Sequence, residues 1–190
     1  DVVEAVSVIG KETMLTEAEM EAALVAAWFH DLGYLVGPEN HEAESEKLAR
    51  SKLTAWEVAS AKVEEVSLAI SATRRPQQPI SLIARVLCDA DLYHLSTDKC
   101  LTHTERLHQE QGLLGHDIPK KQWLKSTLEF LKEHQYHTPY GKGVLQAGKK
   151  KNIRTIKQRL GQEGKSRTLQ GGVGTPAEAS AILELVEVIL

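Results

Sequence analysis

A histidine and an aspartate stand side by side at the end of an apolar stretch, as His30 and Asp31 in AAWFHDLGY. Burying an imidazole and a carboxylate among apolar side chains is costly unless something pairs with both groups. A divalent cation would pair with both, so this doublet indicates a metal site. The alternative is that the two residues only end a helix, where a histidine is favourable and an aspartate is tolerated.

Asp91 is a third candidate ligand, distant in sequence from the doublet. It continues by four residues an apolar helical stripe, so a carboxylate stands where the pattern expects a core side chain. That stripe consists of Ile80, Ile83, Ala84 and Leu87. Neighbouring residues on a helix diverge by about 100°, so His30 and Asp31 can share an ion only if ligands arrive from other helices. We therefore predict His30, Asp31 and Asp91 as metal ligands, with His30 and Asp31 also catalytic.

The ligand set also narrows the choice of metal. One imidazole and two carboxylates form a mixed nitrogen and oxygen shell. Such a shell suits manganese, iron, nickel or magnesium better than a structural zinc site, which prefers thiolates. A bound divalent ion lowers the pKa of a water molecule and offsets negative charge on an oxygen of the substrate, so the site is predicted to be hydrolytic.

The elements that must position these residues are predicted to be helices. Sustained period-two alternation is scarce and helical stripes recur, so the fold class is all-α. The clearest helix begins with a capping box, Thr16 and Glu19, and we take Gly33 as its stop. Its predicted core stripe is Met20, Ala23, Leu24, Ala27 and Trp28. Further predicted helices cover 41–56, the stripe Ala59, Val63, Val66 and Ile70, the stripe Leu124, Leu128 and Leu131, and the stripe Val144, Ile153, Ile156 and Leu160.

Two further histidines are candidates near the doublet and Asp91. His41 follows the doublet after a short loop, where it would act as a second-sphere acid, a phosphate contact or a ligand to a second ion. The alternative for His41 is an ordinary side chain at a helix start. His94 lies one helical turn beyond Asp91, facing either the same cavity or a backbone partner. Three alternating residues of a loop-like segment would also line the cleft: His134, Tyr136 and Thr138.

Cationic residues offer candidate contacts for a phosphate. Arg74 and Arg75 follow a predicted helix, and paired guanidinium groups hold phosphate bidentately, although two solvated arginines are the alternative. The run 149–151 consists of lysines and is expected to be a solvated helix face that could also attract an anionic substrate.

Composition excludes several other classes of protein. The chain has 23 lysine and arginine residues against 26 aspartate and glutamate residues, a net charge of −3, so no nucleic-acid binding is expected. Two cysteines, Cys88 and Cys100, make neither a disulfide framework nor a four-ligand zinc site, which favours a cytoplasmic location. No stretch approaches eighteen uninterrupted apolar residues, so no membrane span is expected within this chain.

Several segments together resemble a known family. The segments AAWFHDLGY, ENHEAES, ISATRRPQQP and VLCDADLYHLS resemble, in order and spacing, the HD-domain metal-dependent phosphohydrolases. Within that superfamily the chain looks most like the bacterial HD domains of Pycsar-type effector proteins. The resemblance extends through QWLKSTLEFLKEHQYHTPYGKGVL and covers roughly residues 1–160. It implies a helical bundle with the metal site at its centre. A linker at 161–174 and an apolar helix at 175–190 would follow, and that helix could pack on this domain or on a second copy in a homodimer.

The resemblance also implies roles for individual residues. Asp91 rather than Asp89 is the final ligand, because the ligand in such proteins precedes the leucine of an Ala-Asp-Leu motif; Asp89 is then an orienting or capping group. A further ligand histidine is expected upstream of Asp1. The implied activity is hydrolysis of a nucleotide or another small phosphorylated metabolite by metal-activated water. The alternative is a catalytically weak domain that senses a nucleotide.

Overall fold

A computed structural model describes residues 2–166 of the protein. No residue in that range belongs to a strand, which confirms the all-α prediction. The helices are α1 (Val2–Glu12), α2 (Glu17–Phe29), α3 (His41–Ala55), α4 (Ser60–Ser71), α5 (Leu82–Asp91), α6 (Cys100–Leu113), α7 (Lys120–Glu133) and α8 (Gln146–Ser166). Shorter turns are the 3-10 helices Leu32–Leu35 and Tyr93–Ser96 and the π-helix Gly141–Leu145.

The helices form two compact units, each with its own interior. The first contains residues 2–93 and 136–143, and the second contains residues 94–135 and the described residues from 144 onward. In the first unit, α1 packs against α2 and α5, and α4 packs against α2, α3 and α5. In the second unit, α7 packs against α6 and α8, and the Trp123 indole donates to the carbonyl of Thr104 at 3.1 Å.

Helix α2 carries His30 at its C-terminal end. The predicted capping box is confirmed, because the Thr16 amide donates to Glu19 at 2.8 Å and the Thr16 hydroxyl accepts from the Glu19 amide. The buried face differs from the predicted stripe and consists of Ala22, Ala23, Ala26 and Ala27. Trp28 is 70% exposed, because the face of α2 that packs on its neighbours is the alanine face and Trp28 lies outside it. Four residues after Ala26, His30 continues the alanine face and is buried.

Helix α5 carries Asp91 as its last residue. It begins one residue after Ser81, whose hydroxyl accepts the Ala84 amide at 3.1 Å as an N-cap. Ile80 therefore lies before the helix and is 92% exposed, so its predicted place on the stripe is wrong. The rest of that stripe is buried as predicted, up to Leu87, and Asp91 follows one turn later.

Helix α8 continues beyond its predicted end. Residues 161–166 were expected to begin a linker, but they are helical. Gly161 costs a helix only about 1 kcal/mol relative to alanine, which does not end a helix of this length. The rest of the predicted linker, 167–174, and the predicted apolar helix at 175–190 lie outside the described residues. Within the described part of the chain, no helix is both long and apolar enough to cross a membrane.

Candidate metal centre

His30 presents a buried ring nitrogen to two carboxylates. Its side chain lies at the end of the alanine face of α2, and Nδ1 donates to the carbonyl of Ala27 at 2.8 Å. That bond leaves Nε2 with its lone pair in the neutral ring. Nε2 is buried, 3.1 Å from Asp31 Oδ2 and 3.7 Å from Asp91 Oδ1. A buried imidazole whose Nδ1 donates to a backbone carbonyl and whose Nε2 faces carboxylates is typical of a metal ligand.

The two carboxylates reach His30 from the C-terminal ends of two helices. Asp31 follows the cap of α2, and Asp91 is the last residue of α5. The C-terminal end of a helix carries partial negative charge from its free carbonyl groups, so a cation is favoured there. Both helix ends therefore add to the attraction that the carboxylates exert on a cation.

The charges around His30 shift its pKa. Burial lowers the pKa of His30, but the carboxylates of Asp31 and Asp91 outweigh burial and raise it to about 10. Burial raises the pKa of Asp31, but His30 and His41 outweigh burial and hold that pKa below its ordinary value. The site thus stabilises positive charge between the carboxylates, whether it comes from a proton or from a metal ion.

His41 approaches the same carboxylate from the start of α3. Its Nδ1 lies 3.2 Å from the carbonyl of Pro38, to which it donates, and its Nε2 lies 4.0 Å from Asp31 Oδ1 and 3.6 Å from Glu42 Oε1. The imidazoles of His30 and His41 therefore face different oxygens of Asp31. The structure brings His41 to the doublet, while its role remains a prediction.

The donor set fits a divalent cation in chemistry and, in part, in geometry. Two ligands at about 2.1 Å from one ion lie ~3.0–3.4 Å apart at ordinary bond angles. The 3.1 Å between His30 and Asp31 matches that range, and the 3.7 Å between His30 and Asp91 is slightly outside it. Among residues 2–166, no three or more His, Cys, Asp or Glu side chains are arranged closely enough to hold an ion as they stand.

A tight turn between the doublet and α3 contributes a residue that the sequence did not single out. Tyr34, in the 3-10 helix Leu32–Leu35, stacks on His41 with ring centroids 3.9 Å apart and planes inclined by 21°. The turn contacts α3 directly, because the Gly33 amide donates to the Ser45 hydroxyl at 2.7 Å. A Cβ on Gly33 would lie 1.9 Å from the carbonyl oxygen of His41. Gly33 therefore permits this contact with α3. The prediction that Gly33 ends α2 is wrong, because α2 already ends at Phe29.

The predicted phosphate-binding arginines lie beside this turn and α3. Burial and nearby carboxylates raise the pKa of Tyr34 to about 12, and the positive charge of Arg75 opposes that rise. Arg75 therefore acts electrostatically on the same cluster of side chains. Arg74 donates to Asn40 Oδ1 at 3.3 Å, and Asn40 immediately precedes His41. Phosphate binding by the two arginines remains a prediction.

Asp89 has a structural role that differs from that of Asp91. It is fully buried and accepts from the amides of His137 at 2.7 Å and Thr138 at 2.9 Å, and from the Thr138 hydroxyl at 2.6 Å. Burial raises the pKa of Asp89, and these hydrogen bonds oppose the rise. The Thr138 hydroxyl in turn accepts the Gly141 amide at 2.9 Å, at the start of the last helical segment. These hydrogen bonds are those expected of a capping group, while an orienting role of Asp89 toward the site stays a prediction.

Two residues that were expected to line a cleft are instead part of the interior. Thr138 is fully buried against Asp89, and Tyr136 is buried with its hydroxyl donating to the carbonyl of Leu92 at 3.3 Å. Their alternation reflects hydrogen bonding to α5 and its C-terminal end. His137, between them, was not singled out from the sequence, and its ring lies 3.4 Å from Gln77 Oε1.

The remaining candidates belong to the second unit. His94 lies beside His103, with ring centroids 4.4 Å apart, and its predicted contact with substrate stays a prediction. Lys149 is not on a solvated face: it is 1% exposed, and its amine donates to the carbonyl oxygen of His134. Burial lowers the pKa of Lys149 to about 8. Lys150 and Lys151 are exposed as predicted.

The fold and the site together define a class of protein. It is a helical domain with a candidate metal centre, in which a buried histidine faces two carboxylates. The model of one family, described as HD domain, matches residues 2–96, which is half of the chain. The chain therefore belongs to the HD domain family, whose members are generally metal-dependent phosphohydrolases that bind divalent metals. Neither the curated proteins nor the solved structures contain a significant match to this chain.

Proposed function

We propose that this chain hydrolyses a phosphate ester, either a nucleotide or another small phosphorylated metabolite, with a divalent metal ion as cofactor. The observation that carries the proposal is the buried Nε2 of His30, which lies 3.1 Å from Asp31 Oδ2 and 3.7 Å from Asp91 Oδ1. Two carboxylates around one buried imidazole nitrogen favour positive charge between them, and a divalent cation supplies that charge.

The metal ion would be held by His30, Asp31 and Asp91, with manganese, iron, nickel or magnesium as the candidates. When bound, a divalent ion lowers the pKa of water and offsets negative charge on a phosphoryl oxygen.

The chain's own side chains would bind the phosphate and handle protons. His41 has its Nδ1 committed to the carbonyl of Pro38, so its Nε2 can accept a proton from water or, once protonated, donate one to the leaving oxygen. Arg75 and Arg74 would offset the charge of the phosphate, because guanidinium groups match its oxygens in geometry. The buried apolar face behind His30 excludes water from one side of the site.

A second candidate function is nucleotide sensing without efficient hydrolysis, which would accord with the resemblance to Pycsar-type effector domains. The observation that favours it is the absence, within residues 2–166, of a ready arrangement of three or more metal-binding side chains. In such a domain the cluster around His30 and His41 would bind a nucleotide and release it unchanged.

The two candidates are separated by a hydrolysis screen on the full-length protein. An aryl phosphate and a panel of nucleotides would be incubated with manganese, iron, nickel or magnesium, and phosphate release would be measured. We expect metal-dependent release that is lost in His30→Gln and retained in the exposed control His116→Gln. Binding of a nucleotide without phosphate release under every metal would favour sensing. Equal activity in wild type and His30→Gln would refute the proposed site.

A further inference from the structure

The ring of Tyr34 lies almost parallel to the imidazole of His41. The centroids are 3.9 Å apart and the planes are inclined by 21°, which is a close stacked contact. Tyr34 is 45% exposed, so the stacking is a contact at the edge of the cluster and no part of the hydrophobic core. The next side chain in the same turn, Leu35, is 83% exposed and is not part of the interior either.

The backbone holds Tyr34 in this place through three contacts. The Tyr34 amide donates to the carbonyl of Asp31 at 3.1 Å, which closes the turn directly after the doublet. The Gly33 amide donates to the Ser45 hydroxyl at 2.7 Å, and the absence of a side chain on Gly33 lets the turn lie against the carbonyl of His41. The turn is thus fixed to the first residues of α3, which also carry His41.

The His41 side chain is 12% exposed, so its imidazole is largely enclosed by neighbouring groups. The carbonyl of Pro38, 3.2 Å from Nδ1, fixes the direction of one ring edge, but a single hydrogen bond does not fix the tilt of the ring plane. Among the enclosing groups, the nearly parallel ring of Tyr34 acts on that tilt most directly. With both restraints, Nε2 points to Asp31 Oδ1 at 4.0 Å and Glu42 Oε1 at 3.6 Å.

We propose that Tyr34 is a positioning residue whose aromatic ring fixes the plane of the His41 imidazole, so that Nε2 faces the carboxylates of Asp31 and Glu42. The ring and not the hydroxyl performs this role, because the contact joins the two ring faces. The catalytic consequence rests on the proposed phosphohydrolase function, in which His41 transfers a proton. The structural consequence, the orientation of His41, does not depend on that function.

The first test reads the His41 ring directly in metal-free protein. Nitrogen-15 NMR of the histidine side chains would be recorded for wild type, Tyr34→Phe, Tyr34→Leu and the control Leu35→Ala. We expect wild type, Tyr34→Phe and Leu35→Ala to show a single His41 tautomer with the proton on Nδ1 and ring protons shifted upfield by the aromatic neighbour. Tyr34→Leu should keep that tautomer, because the Pro38 carbonyl sets it, but should weaken the nuclear Overhauser contacts between the His41 ring protons and the side chains of Asp31 and Glu42. Contacts of wild-type strength in folded Tyr34→Leu would overturn the proposal.

The second test uses the kinetics of phosphate release. Tyr34→Leu should lower kcat on the order of 10-fold to 100-fold with little change in KM, as expected for a misplaced proton-transfer group. Tyr34→Phe should stay within about twofold of wild type, because it keeps the ring. In a His41→Ala background, Tyr34→Leu should cause no further loss, since the two residues act as a unit.

The kinetic outcomes separate this inference from the proposed function. A rise in KM with unchanged kcat would mean that Tyr34 contacts substrate, and an equal loss in Tyr34→Phe would assign the role to the hydroxyl; either result overturns the proposal. Full additivity with His41→Ala would also overturn it. If wild-type protein releases no phosphate with any metal, the proposed function fails, while the NMR measurement still decides how Tyr34 acts on His41.

Discussion

Replacing Asp89 by alanine would remove the acceptor of three buried hydrogen bonds. The donors are the amides of His137 and Thr138 and the Thr138 hydroxyl, at 2.6–2.9 Å. A buried donor without an acceptor costs about 1–3 kcal/mol, and relaxation of the segment would recover part of the sum. We therefore expect Asp89→Ala to lower the free energy of unfolding by about 3–5 kcal/mol. Asp89→Asn keeps one acceptor oxygen and should cost about 2 kcal/mol.

Urea unfolding followed by helical circular dichroism would measure these losses. Asp98→Ala is the matched control, because Asp98 is an exposed aspartate and its loss should change the unfolding free energy by no more than about 0.5 kcal/mol. A loss below about 1 kcal/mol in Asp89→Ala would refute the reasoning, because three buried donors would then have found other partners at little cost.

Three further changes test local features of the fold. Gly33→Ala should destabilise the protein by about 1–3 kcal/mol, because its Cβ would overlap the backbone of α3, whereas Gly37→Ala has open space and should be nearly neutral in the same urea titration. Thr16→Ala should cost about 1 kcal/mol of thermal stability through loss of the capping box. Burial lowers the pKa of Lys149 to about 8 from 10.5, so the unfolded chain binds more protons between these pH values. Wild-type stability relative to Lys149→Met should then rise by at most about 3 kcal/mol across that window; a flat or falling difference would contradict this.

The fold was predictable where local chemistry decides it. The capping box at Thr16 fixes the start of α2 with two reciprocal hydrogen bonds, and the sequence shows both partners. The buried face of α2 was less predictable, because a stripe of large apolar residues and a stripe of alanines compete in the same helix. In the structure the alanines are buried and Trp28 is exposed, because small side chains allow close helix packing. Helical periodicity alone does not reveal how near the neighbouring helices come.

The residues of the candidate site were predictable in part. A carboxylate at the end of an apolar stripe drew attention to Asp91, and the structure places it 3.7 Å from His30. The role of Tyr34 was not visible, because it depends on a contact between Gly33 and the backbone of α3 that only the folded chain forms. The burial of Lys149 was missed for a similar reason: three consecutive lysines look alike in sequence, but one of them donates to the end of α7.

The central claim, that Asp91 serves a metal-dependent hydrolytic site while Asp89 serves the fold, is tested by measuring bound metal together with aryl phosphate hydrolysis. Wild type, Asp91→Ala and Asp89→Asn would be compared as full-length proteins after equilibration with each candidate metal. We expect that Asp91→Ala unfolds normally but loses both the bound metal and the activity, while folded Asp89→Asn retains metal. Hydrolysis at the wild-type rate by Asp91→Ala, with no detectable metal, would contradict the account.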